Sequence, residues 1–176
     1  MKVLKKQKVS KMCLICGVEN DKGLKANFYE MENGQLVALF NSPSEFQSYP
    51  DRMHGGMISA ILDETIGRTI WIHEPDCWGV TIDLQIKYRN PVPVNEPLMA
   101  IAEMTESKSR IFKGSGIIAK MDGTVLAEGK GIFYKIKLDQ IDANSHEGEA
   151  VFFVPDDVKE IAIEHIKLKK TYLFVI

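Results

Sequence analysis

The residues with the clearest chemical potential lie in one run, His54-Gly55-Gly56 followed by Asp63-Glu64, in the stretch HGGMISAILDETIG. Two glycines where a helix begins let a ligand approach the backbone closely, and the unpaired N–H groups there polarise a carbonyl oxygen. Such a place favours developing negative charge. Asp63 follows about two helical turns later, beside Ile66 and Ile70 on the helical wheel, at the border of the apolar face. A carboxylate on that border has its charged form disfavoured, which raises its pKa and suits it to act as a base. Glu64 stands four residues before Arg68, and an i,i+4 ion pair accounts for it. His54 offers a general base or a metal ligand, but a hydrogen bond that structures the loop is the simpler role.

Two further groups have chemical content. Cys13-x-x-Cys16 is half of a tetrahedral zinc site, and His73, His146 and His165 are too isolated in the chain to complete it, so buried thiols are the expectation. Lys108, Arg110 and Lys113, in SKSRIFKG, suit phosphate groups as point charges and equally suit an ordinary solvated turn.

These residues need elements to hold them. Ala26–Met31 and Gln35–Asn41 have strand length and flank Asn33-Gly34, a hairpin dipeptide. Residues 42–56, rich in proline and glycine, form a loop that feeds a helix from Met57 to about His73, with Ile58, Ile61, Leu62, Ile66 and Ile70 at helical spacing. Met57 and Trp71 widen that arc, so the helix should be largely buried. Pro75 closes it. Gly79–Arg89 alternates strictly, with Ile82, Leu84, Ile86 and Tyr88 on one face and Thr81, Asp83, Gln85, Lys87 and Arg89 on the other. Leu98–Thr105, Ile111–Met121 and Thr124–Lys137 follow as strands, the last two joined at Asp122-Gly123. The order β-β-α-β-β-β-β predicts an α+β fold, a curved antiparallel sheet around one central helix. In the remainder, residues 139–150 read as an acidic loop, a short helix is expected to start near Asp156, and the final TYLFVI is apolar.

Composition narrows the class. The chain has 176 residues, 45% hydrophobic and 26% charged, enough for one core without disulfide or metal staples. Its 22 Lys and Arg against 24 Asp and Glu argue against a nucleic-acid binder. Residues 1–11 hold five lysines and no acid, which reads as a solvated basic leader ahead of an acidic body. The chain shows neither an apolar run of membrane-spanning length nor a signal-peptide pattern, so a cytoplasmic location is expected. Three cysteines, an odd number, fit reduced thiols.

The run around His54 and Asp63 resembles the signature of hotdog-fold acyl-CoA thioesterases of the phenylacetic-acid-degradation (PaaI-like) group. CLICGVENDKGL is similar to the lead-in of such proteins, EFQSYPDRMHGG to their glutamine-containing loop, GVTIDLQIKYRNPVPVNEPL to the following strand and exit, and DGTVLAEGKGIF to the closing hairpin. The resemblance covers roughly residues 13–134. It implies a hotdog domain over 13–138, between a basic leader at 1–12 and a C-terminal extension at 139–176. It also implies that Asp63 activates water or itself attacks a thioester, that the Gly55 N–H polarises the carbonyl with Gly56 beside it, and that His54 shapes the loop. Gln47 takes a place where the family often has an amide near the substrate, and Thr81 one where a partner subunit contributes a hydroxyl. Lys108, Arg110 and Lys113 are then candidates for the coenzyme phosphates. Ser48, Asp51 and Arg52 depart from the family pattern in the loop.

The implied activity is hydrolysis of acyl-CoA by a homodimer or tetramer, with no metal or redox cofactor, since a thioester is already activated and positioning plus electrostatics lower the remaining barrier. A non-catalytic acyl-CoA sensor or scaffold is the alternative, with a hotdog dehydratase behind it. No membrane partner is expected.

Overall fold

Asn33-Gly34 makes the expected turn: Gly34 has a φ of 81°, and β2 (Asn27–Met31) and β3 (Leu36–Asn41) pair antiparallel on either side. Asp122-Gly123 does the same, with Gly123 at φ 89°, for β6 (Ile111–Lys120) and β7 (Val125–Lys137). These elements belong to a computed structural model that describes residues 1–137, 140, 151–163, 166 and 168. With β1 (Val3–Lys6), β4 (Cys77–Tyr88) and β5 (Pro97–Ser107), the described residues form one antiparallel sheet of seven strands in the order β1-β2-β3-β5-β6-β7-β4.

The helix crosses one face of this sheet. It runs as α1 (Gly55–Gly67) and tightens into a 3-10 turn at Arg68–Ile72. Ile58, Ile61, Leu62, Ile66 and Ile70 are all buried, as their spacing predicts. Ile66 sits so close to β6 that a Cβ on Gly114 would stand 2.6 Å from its Cγ2, so glycine there is a condition of helix and sheet meeting. Burying such an isoleucine contributes about 2 to 3 kcal/mol.

Three expectations are corrected. The lysine-rich start is no solvated leader: β1 joins the sheet, Val9 is buried, and Lys6, its side chain only 7% exposed, pairs at 2.7 Å with Asp156. A local charge count cannot see a partner 150 residues away. No helix begins near Asp156; residues 153–159 are irregular, and backbone bridges tie Val9 to Phe152 and Lys2 to Glu160. The period-2 pattern Ile161-Ala162-Ile163 prevails, setting both isoleucines on the sheet face away from α1, against Tyr29, Met31, Val37, Met99, Ile101 and Ile117. The third correction is in β4. A bulge places Thr81 opposite Phe133 and Asp83 opposite Ile132, so Ile82 is the extra residue, 58% exposed, and Thr81 turns to the helix side. Of the loop at 139–150, residues 139 and 141–150 lie outside the described residues, as do His146, His165 and 171–176.

Candidate active site

The loop that enters α1 is stabilised locally. Asp51 has a φ of 60°, in the left-handed region that glycine favours and aspartate tolerates. Residues Gln47 and Met53 bridge across the loop. His54 is the N-cap: its Nδ1 accepts the Gly56 N–H at 2.9 Å, the loop-structuring role expected of it. That bond occupies the Gly56 amide. The Gly55 N–H, by contrast, meets no acceptor among the described residues, so it is the one of the two that is available to a substrate oxygen. Tyr88 Oη donates to the Gly55 carbonyl at 3.1 Å and lies 3.0 Å from Ser59 Oγ, tying β4 to the helix start. Tyr88 was legible as a helix-facing strand residue, but nothing in its spacing announced this bond, and Ser59 carried no signal at all.

Asp63 lies on the border of the buried arc, half-buried. Thr81 Oγ1 donates to its Oδ1 at 2.8 Å. This hydroxyl reaches the carboxylate of its own chain because the β4 bulge, invisible to strict alternation, turns Thr81 to the helix side. Burial pushes the Asp63 carboxyl above its ordinary pKa, with the Thr81 hydrogen bond opposing and the Glu64 charge adding to the rise. A cleft of about 80 Å³ adjoins Asp63, walled by Gly67, Arg68, Trp71, Trp78, Gly79, Thr81 and Phe133. The two tryptophans meet edge to face at 4.9 Å and Phe133 stacks on Phe112 at 5.0 Å, so the wall is rigid and aromatic.

Other predicted residues lie apart from this cleft. Gln47 is exposed in the loop. Lys108 and Lys113 each pair with Glu106 at 2.8 Å, which holds that exposed carboxyl down near a pKa of about 2. Arg110 is exposed in the turn between β5 and β6. Lys113 also lines a cavity of about 720 Å³, larger than the cleft beside Asp63, and its wall includes Asp83, Gln85, Glu103 and Lys130 but not Asp63 or the helix start.

Glu64 and Arg68 pair at 2.6 Å, as their spacing predicts. Arg68 then reaches further than expected, donating to the Lys8 carbonyl at 2.9 Å and to Cys16 Sγ at 3.0 Å.

Residues 51–127 match the sequence profile of the thioesterase superfamily. Over that segment the chain is similar to members of that superfamily. The chain is 26% identical over 114 residues to acyl-coenzyme A thioesterase THEM5 of Homo sapiens, covering 64% of this chain and 45% of that protein. It is 30% identical over 112 residues to acyl-coenzyme A thioesterase THEM4 of Mus musculus, covering 63% and 47%. The chain thus spans about half the length of these curated relatives. Among solved structures, a thioesterase superfamily protein aligns with a TM-score of 0.64 at 24% identity, over 70% of this chain and 63% of that one. A Bacillus halodurans protein solved with CoA aligns at 0.52 and 23%, over 56% and 70%. The shared architecture is the hotdog fold, as expected. One fungal relative is described as mitochondrial, and no helix among the described residues is long and apolar enough to cross a membrane.

Proposed function

We propose that this thioesterase-superfamily chain is a PaaI-like enzyme that hydrolyses acyl-CoA thioesters to free acid and CoA, as a cytoplasmic homodimer. The observation that carries the reading is the half-buried Asp63, its pKa raised and its Oδ1 held by Thr81, beside an aromatic cleft on a helix whose first amide is unoccupied.

The distances favour a site shared between two protomers. Gly55 and Asp63 are eight residues apart on α1, about 12 Å along the axis. One thioester carbonyl cannot touch both at once, because the polarised oxygen and the attacked carbon are neighbours. A cleft of about 80 Å³ is also too small for the acyl and thiol portions together. Gly55 of one protomer and Asp63 of the other resolve both difficulties. Strand β4 supplies the contact: it ends the strand order, is 12 residues long, and exposes Val80, Ile82 and Tyr88. Long apolar edges of this kind are normally covered. The substitution Ile82→Asp on that edge is expected to give a monomer by light scattering and to lose thioesterase activity with it.

In the assembled site the Gly55 N–H donates to the thioester oxygen. The Asp63 carboxylate removes a proton from water as that water adds to the carbonyl carbon, or it adds to the carbon itself. The C–S bond then breaks and the CoA thiolate takes up a proton. Where Asp63 itself has added, a water then hydrolyses the resulting mixed anhydride, releasing the acid and restoring the carboxylate. Gln47 and His54 shape the loop around the substrate, and Arg110 meets coenzyme phosphates together with Lys108 and Lys113, which exchange Glu106 for them.

Because Asp63 must be ionised, kcat/KM falls on the acid side, with its midpoint above the ordinary carboxylate range. Thr81→Val removes the bond that favours the charged form, so the acid limb moves to still higher pH; a pH profile with both proteins checks this. Thiol release from short aliphatic, long aliphatic and aryl acyl-CoAs tests the activity. Turnover of at least one class supports it. Acyl-CoA binding without turnover across the panel favours a sensor.

A further inference from the structure

We propose that Cys13 and Cys16 form a dithiol site that a low-molecular-weight disulfide of the glutathione class oxidises to an intramolecular disulfide. The two sulfurs and a Glu64 carboxylate oxygen all lie within 4.8 Å of one another. The Gly17 N–H closes the turn onto the Cys13 carbonyl at 2.9 Å, which brings the two cysteines together. The surroundings are built for a thiolate. Cys16 Sγ accepts from the Arg68 guanidinium at 3.0 Å and from the Ser10 N–H at 3.5 Å, with Ser10 Oγ also at 3.5 Å. The Cys13 thiol donating to it, and then Arg68, push the Cys16 thiol below its ordinary pKa against the effect of burial, while Cys13 is pushed up.

Three ligating groups at this separation also suggest a cation. Here the cation is already present. Arg68 holds Glu64 at 2.6 Å and Cys16 at 3.0 Å, so a divalent metal entering among the same three groups would meet a fixed positive charge.

Accessibility sets the order of events. Cys16 is 1% exposed, while Cys13 is half-exposed and meets solvent first. Cys13, having passed its proton across the S–H···S contact to Cys16, attacks one sulfur of the small disulfide. A mixed disulfide forms and one thiolate leaves, taking a proton from solvent. Cys16 returns its proton to solvent and attacks the Cys13 sulfur as the thiolate, forming the intramolecular bond and expelling the second thiolate, which is protonated in turn. Two cysteines lose two electrons, and one small disulfide becomes two thiols. The inference stands independently of thioester hydrolysis.

The test uses the full chain with Cys77→Ser, which removes the remaining thiol. The protein is equilibrated over a series of reduced-to-oxidised glutathione ratios, quenched in acid, unfolded, alkylated with N-ethylmaleimide and weighed, with peptide mapping. The expected result is a species lacking two hydrogens and both maleimides, with the crosslink on the peptide holding Cys13 and Cys16. With Cys16→Ser added, a glutathione adduct should accumulate on Cys13 instead. With Cys13→Ser added, Cys16 should stay reduced. Two alkylated thiols at every ratio, a persistent glutathione adduct while both cysteines are present, or a zinc ion retained by the pair in native mass spectra each overturns the proposal.

Discussion

Replacing Asp63 by Asn should lower kcat for the proposed acyl-CoA hydrolysis by about 10³-fold, roughly 4 kcal/mol of barrier, while leaving the fold and the proposed dimer intact. The amide keeps the shape of the side chain, so the cleft walled by Trp71, Trp78 and Phe133 is undisturbed. What it loses is basicity and nucleophilicity together, so the variant answers for either use of the carboxylate. The stability control has a definite sign. The folded-state pKa of Asp63 is raised, so between the unfolded and folded values the native state binds more protons than the unfolded one. Stability from this group is therefore greatest below the unfolded value and falls as pH rises through the folded one. At neutral pH Asn should fold at least as stably as Asp, read by urea denaturation. Lost turnover with full stability assigns Asp63 to the chemistry. Unchanged turnover removes it from the reaction.

Much of this site was legible along the chain because its signals are local. The helix arc from Ile58 to Ile70, the His54 cap, the Glu64–Arg68 spacing and the two glycine turns each involve residues within a few positions of one another. What escaped depends on distance. Thr81 faces Asp63 only because β4 carries one extra residue against β7, and a bulge leaves the periodicity of its own strand looking intact. Lys6 looked like a solvated charge because Asp156, its partner, comes at the far end of the chain. The stretch after Asp156 looked helical from its capping residue, yet Ile161 and Ile163 find an apolar sheet face that only the assembled strands create. Tertiary burial outweighs a weak helical preference.

Removing the Arg68 side chain should destabilise the protein more than replacing Asp63 or Thr81 does. Arg68 is 6% exposed, with its guanidinium 4.4 Å from the Phe28 ring centre and 4.6 Å from that of Trp71. It joins Glu64, Cys16 and the Lys8 carbonyl in one network. Met in its place keeps much of the volume but leaves the Glu64 carboxylate without its counter-charge and Cys16 Sγ without its guanidinium donor. Breaking a buried pair from one side costs about 3 kcal/mol, an effect that urea denaturation of Arg68→Met should show. Arg68→Lys should recover only part of it, since an ammonium cannot serve Glu64, Cys16 and Lys8 from one plane or stack between two rings. The test that separates charge from packing is the combination Arg68→Met with Glu64→Gln and Cys16→Ala. If the stranded charges are the cause, the triple variant is more stable than Arg68→Met alone, a non-additivity expected of groups in one network. If lost packing between Phe28 and Trp71 is the cause, the added substitutions recover nothing.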